Sequence, residues 1–228
     1  MSERLAPSEG LGVLHLFCKI RPGTDAEAVV AAVKSGRDDE HQAVCFSVFG
    51  HKADLGVLAL GPDWVQLRRL QARLQAAGLD VVDSYVSLTE VSEYARASVE
   101  KQKLSPRLYP KLPPEGKRAF CFYPMSKRRG EQDNWFRLDF DQRRDLMLEH
   151  GTSGRRFAGR VLQLVTGSAG LDDYEWGVTL FAVHPDDLKE CVYTMRFDEA
   201  SARYAEFGPF YAGIVGEVEE VVAQVGLA

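Results

Sequence analysis

The sequence predicts an α+β fold built from two βαββαβ units, and three observations carry that expectation. Strand and helix signals follow one another in the same order in both halves of the chain. A proline-rich, basic segment separates the halves. In both halves, helix candidates carry an apolar face that an antiparallel sheet can cover.

Gly12 to Ile20 reads as the first strand. Thr24 with Glu27 then forms a capping box, opening a short helix through Val29, Val30 and Val33. Ala43 to Phe49 and Leu55 to Leu60 make a hairpin around Gly50. Asp63 with Gln66 starts a helix with Leu67, Leu70 and Leu74 on one face, stopped by Gly78. Asp80 to Val91 is a long strand rich in Val, Tyr and Thr. This order is the ferredoxin-like motif.

Glu100 to Gly116 carries four prolines among basic residues and reads as a connection. The boundary is placed between 105 and 106, giving units 1–105 and 106–228. In the second, Ala119 to Tyr123 is a strand and Ser126 to Asn134 a polar loop. Asp139 with Gln142 caps a helix expected to end at Gly151. Arg160 to Thr166 and Tyr174 to Ala182 are strands, and Pro185 opens a helix with Leu188, Cys191, Val192 and Met195 on its apolar face. Phe207 to Gly213 is the last strand and Glu217 to Gln224 a final helix. Two such sheets are expected to pack face to face and enclose a pocket.

With 228 residues, 45% hydrophobic, the chain has enough apolar side chains for a sizeable core. A net charge of −5 gives no general attraction to nucleic acid or to an acidic membrane surface. No apolar run is long enough to span a bilayer, and the first ten residues lack the build of a signal peptide. Cys18, Cys45, Cys121 and Cys191 are far apart and sit in apolar stretches. They read as reduced, buried thiols of a cytoplasmic protein.

Two residues stand out chemically. Tyr123 ends a strand and leads into Lys127, Arg128 and Arg129. The bland reading is a buried tyrosine before a solvated charge run; the sharper one is a phenol at a pocket mouth beside cations that bind carboxylates. His150 falls in the expected last turn of its helix, where the dipole favours a cation. Alternatively it is an imidazole aimed at a metal, sharing an apolar face with Leu146 and Met147. No ligand set at zinc spacing surrounds it, which favours a porphyrin needing one protein ligand. His15, His41, His51 and His184 read as structural or exposed, and Asp172-Asp173 and Asp198-Glu199 as caps or solvated charges.

The segments CFYPMSKRR from Cys121, DNW from Asp133, LDDYEWGVTLF from Leu171 and MRFDEASARYAEFG from Met195 closely resemble the coproheme decarboxylases of the chlorite-dismutase-like superfamily. His150-Gly151 and Gly167-Ser168 belong to the same pattern. The resemblance runs from about Arg107 to Gly213. GHKADL from Gly50 and Ser84 to Ser87 extend it into the first half.

The resemblance implies two ferredoxin-like units joined as a dimeric α+β barrel, with haem in the second, and a homopentamer. It implies Tyr123 as the catalytic tyrosine, His150 as the iron ligand and Gln163 as the distal amide. It places Arg107, Lys127, Arg196 and Ser201 near the propionates and Met125 at the reactive edge. The implied reaction takes Fe-coproporphyrin III to haem b with hydrogen peroxide, releasing two CO2, through a Tyr123 radical that abstracts a propionate β-hydrogen. A ferrochelatase supplying coproheme is the implied contact. The sequence departs from the family at Phe136, where a tyrosine is usual, at Pro209, and in a shorter segment after the first helix.

One rival is chlorite dismutation, which uses a distal arginine where this chain has Gln163; an amide holds a developing anion less strongly. The other is a non-catalytic haem carrier or sensor, against which the pairing of Tyr123 with cations argues.

Overall fold

The computed structural model describes residues 4–96 and 101–227. The first unit contains β1 (Gly12–Lys19), α1 (Ala26–Lys34), β2 (Gln42–Val48), β3 (Leu55–Gly61), α2 (Trp64–Ala76) and β4 (Asp80–Thr89). Two short helices follow, α3 (Glu93–Arg96) and α4 (Lys101–Leu108). The expected unit boundary thus falls inside α4. The second unit contains β5 (Ala119–Lys127), a 3-10 turn (Trp135–Arg137), α5 (Phe140–Arg155), β6 (Val161–Gly167), β7 (Trp176–Ala182) and α6 (Pro185–Met195). It continues through α7 (Glu199–Ala202), β8 (Ala205–Phe207) and β9 (Tyr211–Gly216), and α8 (Val218–Gln224) follows.

The strands of the two units lie in the orders β4-β1-β3-β2 and β6-β7-β5-β9, all antiparallel. Both are ferredoxin-like sheets. They do not simply stack. β4 pairs β6 at Leu88–Gly167 and Thr89–Thr166, and β2 pairs β9 from Cys45–Gly216 to Val48–Gly213. Eight strands therefore close into one barrel, with β8 hanging from β5. At the β2–β9 seam a Cβ on residue 213 would run into the Ser47 carbonyl oxygen, so Gly213 permits the close approach.

The expected pocket between facing sheets is a correction. The barrel interior is filled by Phe17, Phe46, Phe120, Phe122 and Phe181 with Leu58, Leu60 and Tyr211. Phe46 stacks on Phe120 at 3.9 Å and Phe17 on Tyr211 at 3.7 Å. Aromatic volume, alternating along each strand, decides the matter: these rings leave the interior packed instead of hollow. A second core lies outside the barrel, where α1, α2 and α8 cover the first unit through Val29, Val33, Leu67, Leu70, Leu74 and Val221.

Four local expectations also change. Asp25, not Thr24, caps α1, accepting from the Ala28 N–H, while the Thr24 hydroxyl bridges Arg21 and Gly78 carbonyls. β5 continues to Lys127, so the loop begins later. α5 keeps its Asp139–Gln142 capping box but runs through Gly151 to Arg155; Gly151 is not among the glycines with positive φ and so does not stop it. The last strand is two pieces, β8 and β9, interrupted at 208–210. Among the described residues, no helix is long and apolar enough to cross a membrane.

Candidate active site

Period-two alternation sends Phe120 and Phe122 of β5 into the barrel and Cys121, Tyr123, Met125 and Lys127 to the outer face. Register extends this face across the sheet. Cys121 pairs with Leu180 and Leu180 with Gln163; Tyr123 pairs with Val178 and Val178 with Val165; Met125 pairs with Trp176. Tyr123 and Gln163 thus share one face, roughly 12 Å apart by ordinary strand spacings. Cover is incomplete there: Gln163 is exposed and Val165, mid-strand and apolar, is 39% exposed.

Tyr123 is buried, 7% exposed, with its ring stacked on Phe210 at 4.5 Å and edge-on to Phe207 at 5.6 Å. Burial pushes the phenol well above its ordinary pKa, so it stays neutral across physiological pH. Arg196, at the C-terminus of α6, lies over the Phe207 ring at 5.1 Å.

Lys127 ends the row. It is buried, donates from Nζ to the Ala200 carbonyl at 2.7 Å, and lies 4.5 Å from the centre of the Trp135 ring. Burial lowers its pKa to about 8, opposed by the Asp198 charge. Arg128 and Arg129 are committed elsewhere: Arg128 faces Glu206 at 3.6 Å, while Arg129 pairs with Glu175 at 2.5 Å and stacks on Phe136 at 4.4 Å. The expected basic loop is therefore largely neutralised.

α7 links this row to His150. Its Ala200 carbonyl receives Lys127, and its N-cap, Asp198, lies 3.0 Å from His150 Nδ1. Asp198 also accepts the Ser201 N–H at 2.9 Å, and the Ser201 hydroxyl lies 3.3 Å from the same Nδ1. Burial by itself raises the Asp198 pKa, but the His150 hydrogen bond and charge, with the Ser201 N–H, outweigh it and hold the carboxyl low. A carboxylate at Nδ1 assigns the ring proton to that nitrogen and leaves Nε2 with the lone pair, the arrangement of a metal-binding imidazole.

Because α5 extends past Gly151, His150 is not in its last turn, and the dipole explanation weakens. No residue of α5 is fully buried. The helix packs mainly on α6 and α7, with Leu146 and Met147 against Trp135, Ala200 and Tyr204.

The structure thus gathers Tyr123, Met125, Lys127 and Gln163 on one sheet face, with Arg196 at its margin and His150 on the adjoining helix. Ser201 sits against His150 rather than in a cationic group. Arg107 stands apart, exposed on α4. Asp198 is the residue of this arrangement that sequence reasoning passed over: its capping role was legible, its contact with a residue 48 positions away was not. Phe207 and Phe210 were likewise unmarked. His15 is buried in the barrel, 2.9 Å from Thr179, His41 is buried against Asp38, and His51 and His184 are exposed. A cavity of about 520 Å³ lies far from this chemistry, between Arg37, Cys45, Leu112 and Glu217, and every cation on its wall is already paired. The candidate site is an open face, which is why it is no enclosed void.

Residues 23–216 match the family described as chlorite dismutase. The chain is 37% identical to a coproheme decarboxylase of Staphylococcus carnosus, covering 94% of this chain and 95% of that protein. It is 44% identical to a coproheme decarboxylase of Thermus thermophilus over 80% of this chain and 74% of that protein. A Natronomonas pharaonis protein named for heme binding is 40% identical over 97% of this chain, which spans 42% of that protein's length. Among solved structures, a heme-binding protein from Thermus thermophilus superposes with a TM-score of 0.87 at 37% identity, covering 99% of this chain and 100% of that one. A chlorite dismutase from Candidatus Nitrospira defluvii, at 16% identity, shares the fold with a TM-score of 0.77 over 96% of this chain and 97% of that one. With the match spanning both units and the candidate site in the second, this chain belongs to the chlorite dismutase family.

Proposed function

We propose that the chain is a coproheme decarboxylase, converting Fe-coproporphyrin III to haem b with one hydrogen peroxide per propionate. Each turn takes a propionic acid side chain and H2O2 to a vinyl group, CO2 and two waters. The observation that carries the reading is the pairing of a buried neutral phenol, Tyr123, with a carboxylate-held imidazole, His150, joined through α7. An iron porphyrin fits these residues. The Nε2 of His150 has its partner nitrogen occupied by Asp198, and the sheet face leaves the apolar Val165 and the amide of Gln163 exposed.

When bound, the iron porphyrin is both substrate and redox centre. His150 would hold it from one side, with Asp198 and Ser201 fixing the ring's tautomer and orientation. The Gln163 amide would hydrogen-bond peroxide on the open side. Arg107, Lys127 and Arg196 would bind propionates through charge-assisted bonds, and Met125 would line the reacting edge. Tyr123 would yield its electron and phenolic proton together, since burial makes the free phenolate costly, and then take up the propionate β-hydrogen. On the same reading the chain works as a cytoplasmic homopentamer receiving coproheme from a ferrochelatase. The four buried, unpaired cysteines suit a reducing compartment.

The test is peroxide titration of the coproheme complex followed by porphyrin mass spectrometry. The parent should lose two CO2. Tyr123→Phe keeps the ring and should bind coproheme without converting it. Conversion by Tyr123→Phe at the parent rate would remove the phenol from the mechanism.

A further inference from the structure

We propose that Phe210 is a positioning residue for Tyr123, and that Lys52 of the first unit anchors it. The proposal rests on the reading of Tyr123 given above and deepens it. Tyr123 is clamped between two rings: Phe210 lies on its face, with planes 25° apart, and Phe207 meets it edge-on at 61°. A phenol that must pass a hydrogen atom works only when its O–H points at the donor or acceptor, and a clamp on two sides of the ring fixes that direction. The same clamp supplies the apolar burial that keeps the phenol protonated.

Phe210 lies in the 208–210 interruption between β8 and β9, where no strand ladder would hold it. Other bonds do. The Gly208 N–H donates to the Pro124 carbonyl at 2.8 Å, and a Cβ at 208 would collide with Pro124 and Tyr174, so the segment lies flush on β5 beside the phenol. The Phe210 carbonyl accepts Lys52 Nζ at 2.6 Å. Lys52 also lies over the Tyr211 ring at 5.4 Å, and the Tyr211 hydroxyl donates to Asp83 on β4. Two successive residues beside Tyr123 are thus pinned from the first unit, which supplies none of the other residues assigned here. This gives a use to the GHKADL segment. Ala53 is buried, the Asp54 carboxylate holds the Ile20 N–H and Lys19, and the loop so fixed projects Lys52 across the seam.

The experiment compares Phe210→Leu, Phe210→Tyr, Lys52→Met and Tyr123→Phe, each as the full-length protein. In ligand-free protein labelled at tyrosine, NMR reads the Tyr123 ring resonances, identified by their loss in Tyr123→Phe. The parent should show the upfield shift of a ring stacked on another. Phe210→Leu should lose that shift, Phe210→Tyr should keep it, and Lys52→Met should move it part of the way. With coproheme and peroxide, Phe210→Leu should lower kcat by about tenfold to a hundredfold with coproheme Kd near the parent value, and Phe210→Tyr should restore it. A role in folding alone would not divide kcat from Kd or be rescued by a ring. Parent-like resonances and kcat in Phe210→Leu, with Tyr123→Phe inactive, overturn the proposal and leave the proposed activity intact. Turnover surviving in Tyr123→Phe overturns both.

Discussion

Asp198 shows how one carboxylate can serve two scales of structure. As N-cap of α7 it satisfies the Ser201 N–H, and its other oxygen holds His150 Nδ1. Its burial, 4% exposed, makes both contacts strong and makes losing either expensive. Asp198→Asn retains a capping oxygen but removes the charge that, on the proposed function, would strengthen His150 as a donor to iron. We expect iron-porphyrin affinity to fall by about 10-fold to 100-fold, with a weakened iron–histidine stretch in the resonance Raman spectrum of the ferrous complex. An unchanged band would separate Asp198 from the iron. The residue scale was only partly legible in the sequence. Tyr123 and His150 stood out by residue type and setting, and Asp198 could be read as a cap. What sequence cannot reveal is which side chains meet over long separations, and the His150–Asp198, Tyr123–Phe210 and Lys52–Phe210 contacts are all of that kind.

At the scale of elements, periodicity found the long strands and longer helices and missed the short α3, α4 and α7. Glycine was read as a stop at 151, yet the glycine stop of a helix works through positive φ, which Gly151 does not adopt. The polar Ser126–Lys127 pair was read as loop, yet β8 pairs with it and extends β5. Tertiary pairing overrode local signals in that second case. α5 is the element most exposed to such forces. None of its residues is fully buried, and it rests on α6 and α7 more than on the barrel. Its amides should therefore exchange with deuterium well before those of β1, β3 and β5, and slow markedly once an iron porphyrin is bound through His150. Hydrogen-exchange mass spectrometry of the free and loaded protein reads both. Protection of α5 equal to that of β3 in the free protein would contradict this account.

The whole molecule joins two similar units through a single aromatic interior, and pH acts on it through His15. This imidazole is fully buried among Phe17, Tyr85 and Phe122, with Nε2 on Thr179 and Nδ1 without a partner. Burial lowers its pKa to about 3, against 6.5 for the unperturbed group. Between those values the unfolded chain binds a proton that the folded chain refuses. His15 therefore costs no stability above about pH 6.5 and progressively more as pH falls toward 3, on the order of a few kcal/mol in all. His15→Leu should flatten the acid limb of the stability–pH curve measured by urea unfolding, although it leaves Thr179 short of one partner. An acid limb as steep as the parent's would assign the loss to carboxylates instead. The repeat of βαββαβ order was legible at this scale from the residues themselves, and the barrel was expected only from the family resemblance. Two strand-pair registers, β4–β6 and β2–β9, turn stacked sheets into a barrel, and edge pairing leaves no mark on hydrophobic period.

That closure also governs how the protein meets other chains. An open ferredoxin-like sheet ends in bare strands whose unpaired N–H and C=O groups template aggregation and strand exchange. Here each unit spends its outer strands on the other, and the remaining strand end is β8, three residues long with Glu206 at its centre. A strand so short and charged is a poor template. Self-association by strand addition is thereby closed off among the described residues, and contacts between copies fall to helices and loops, where side chains and not backbone set the specificity.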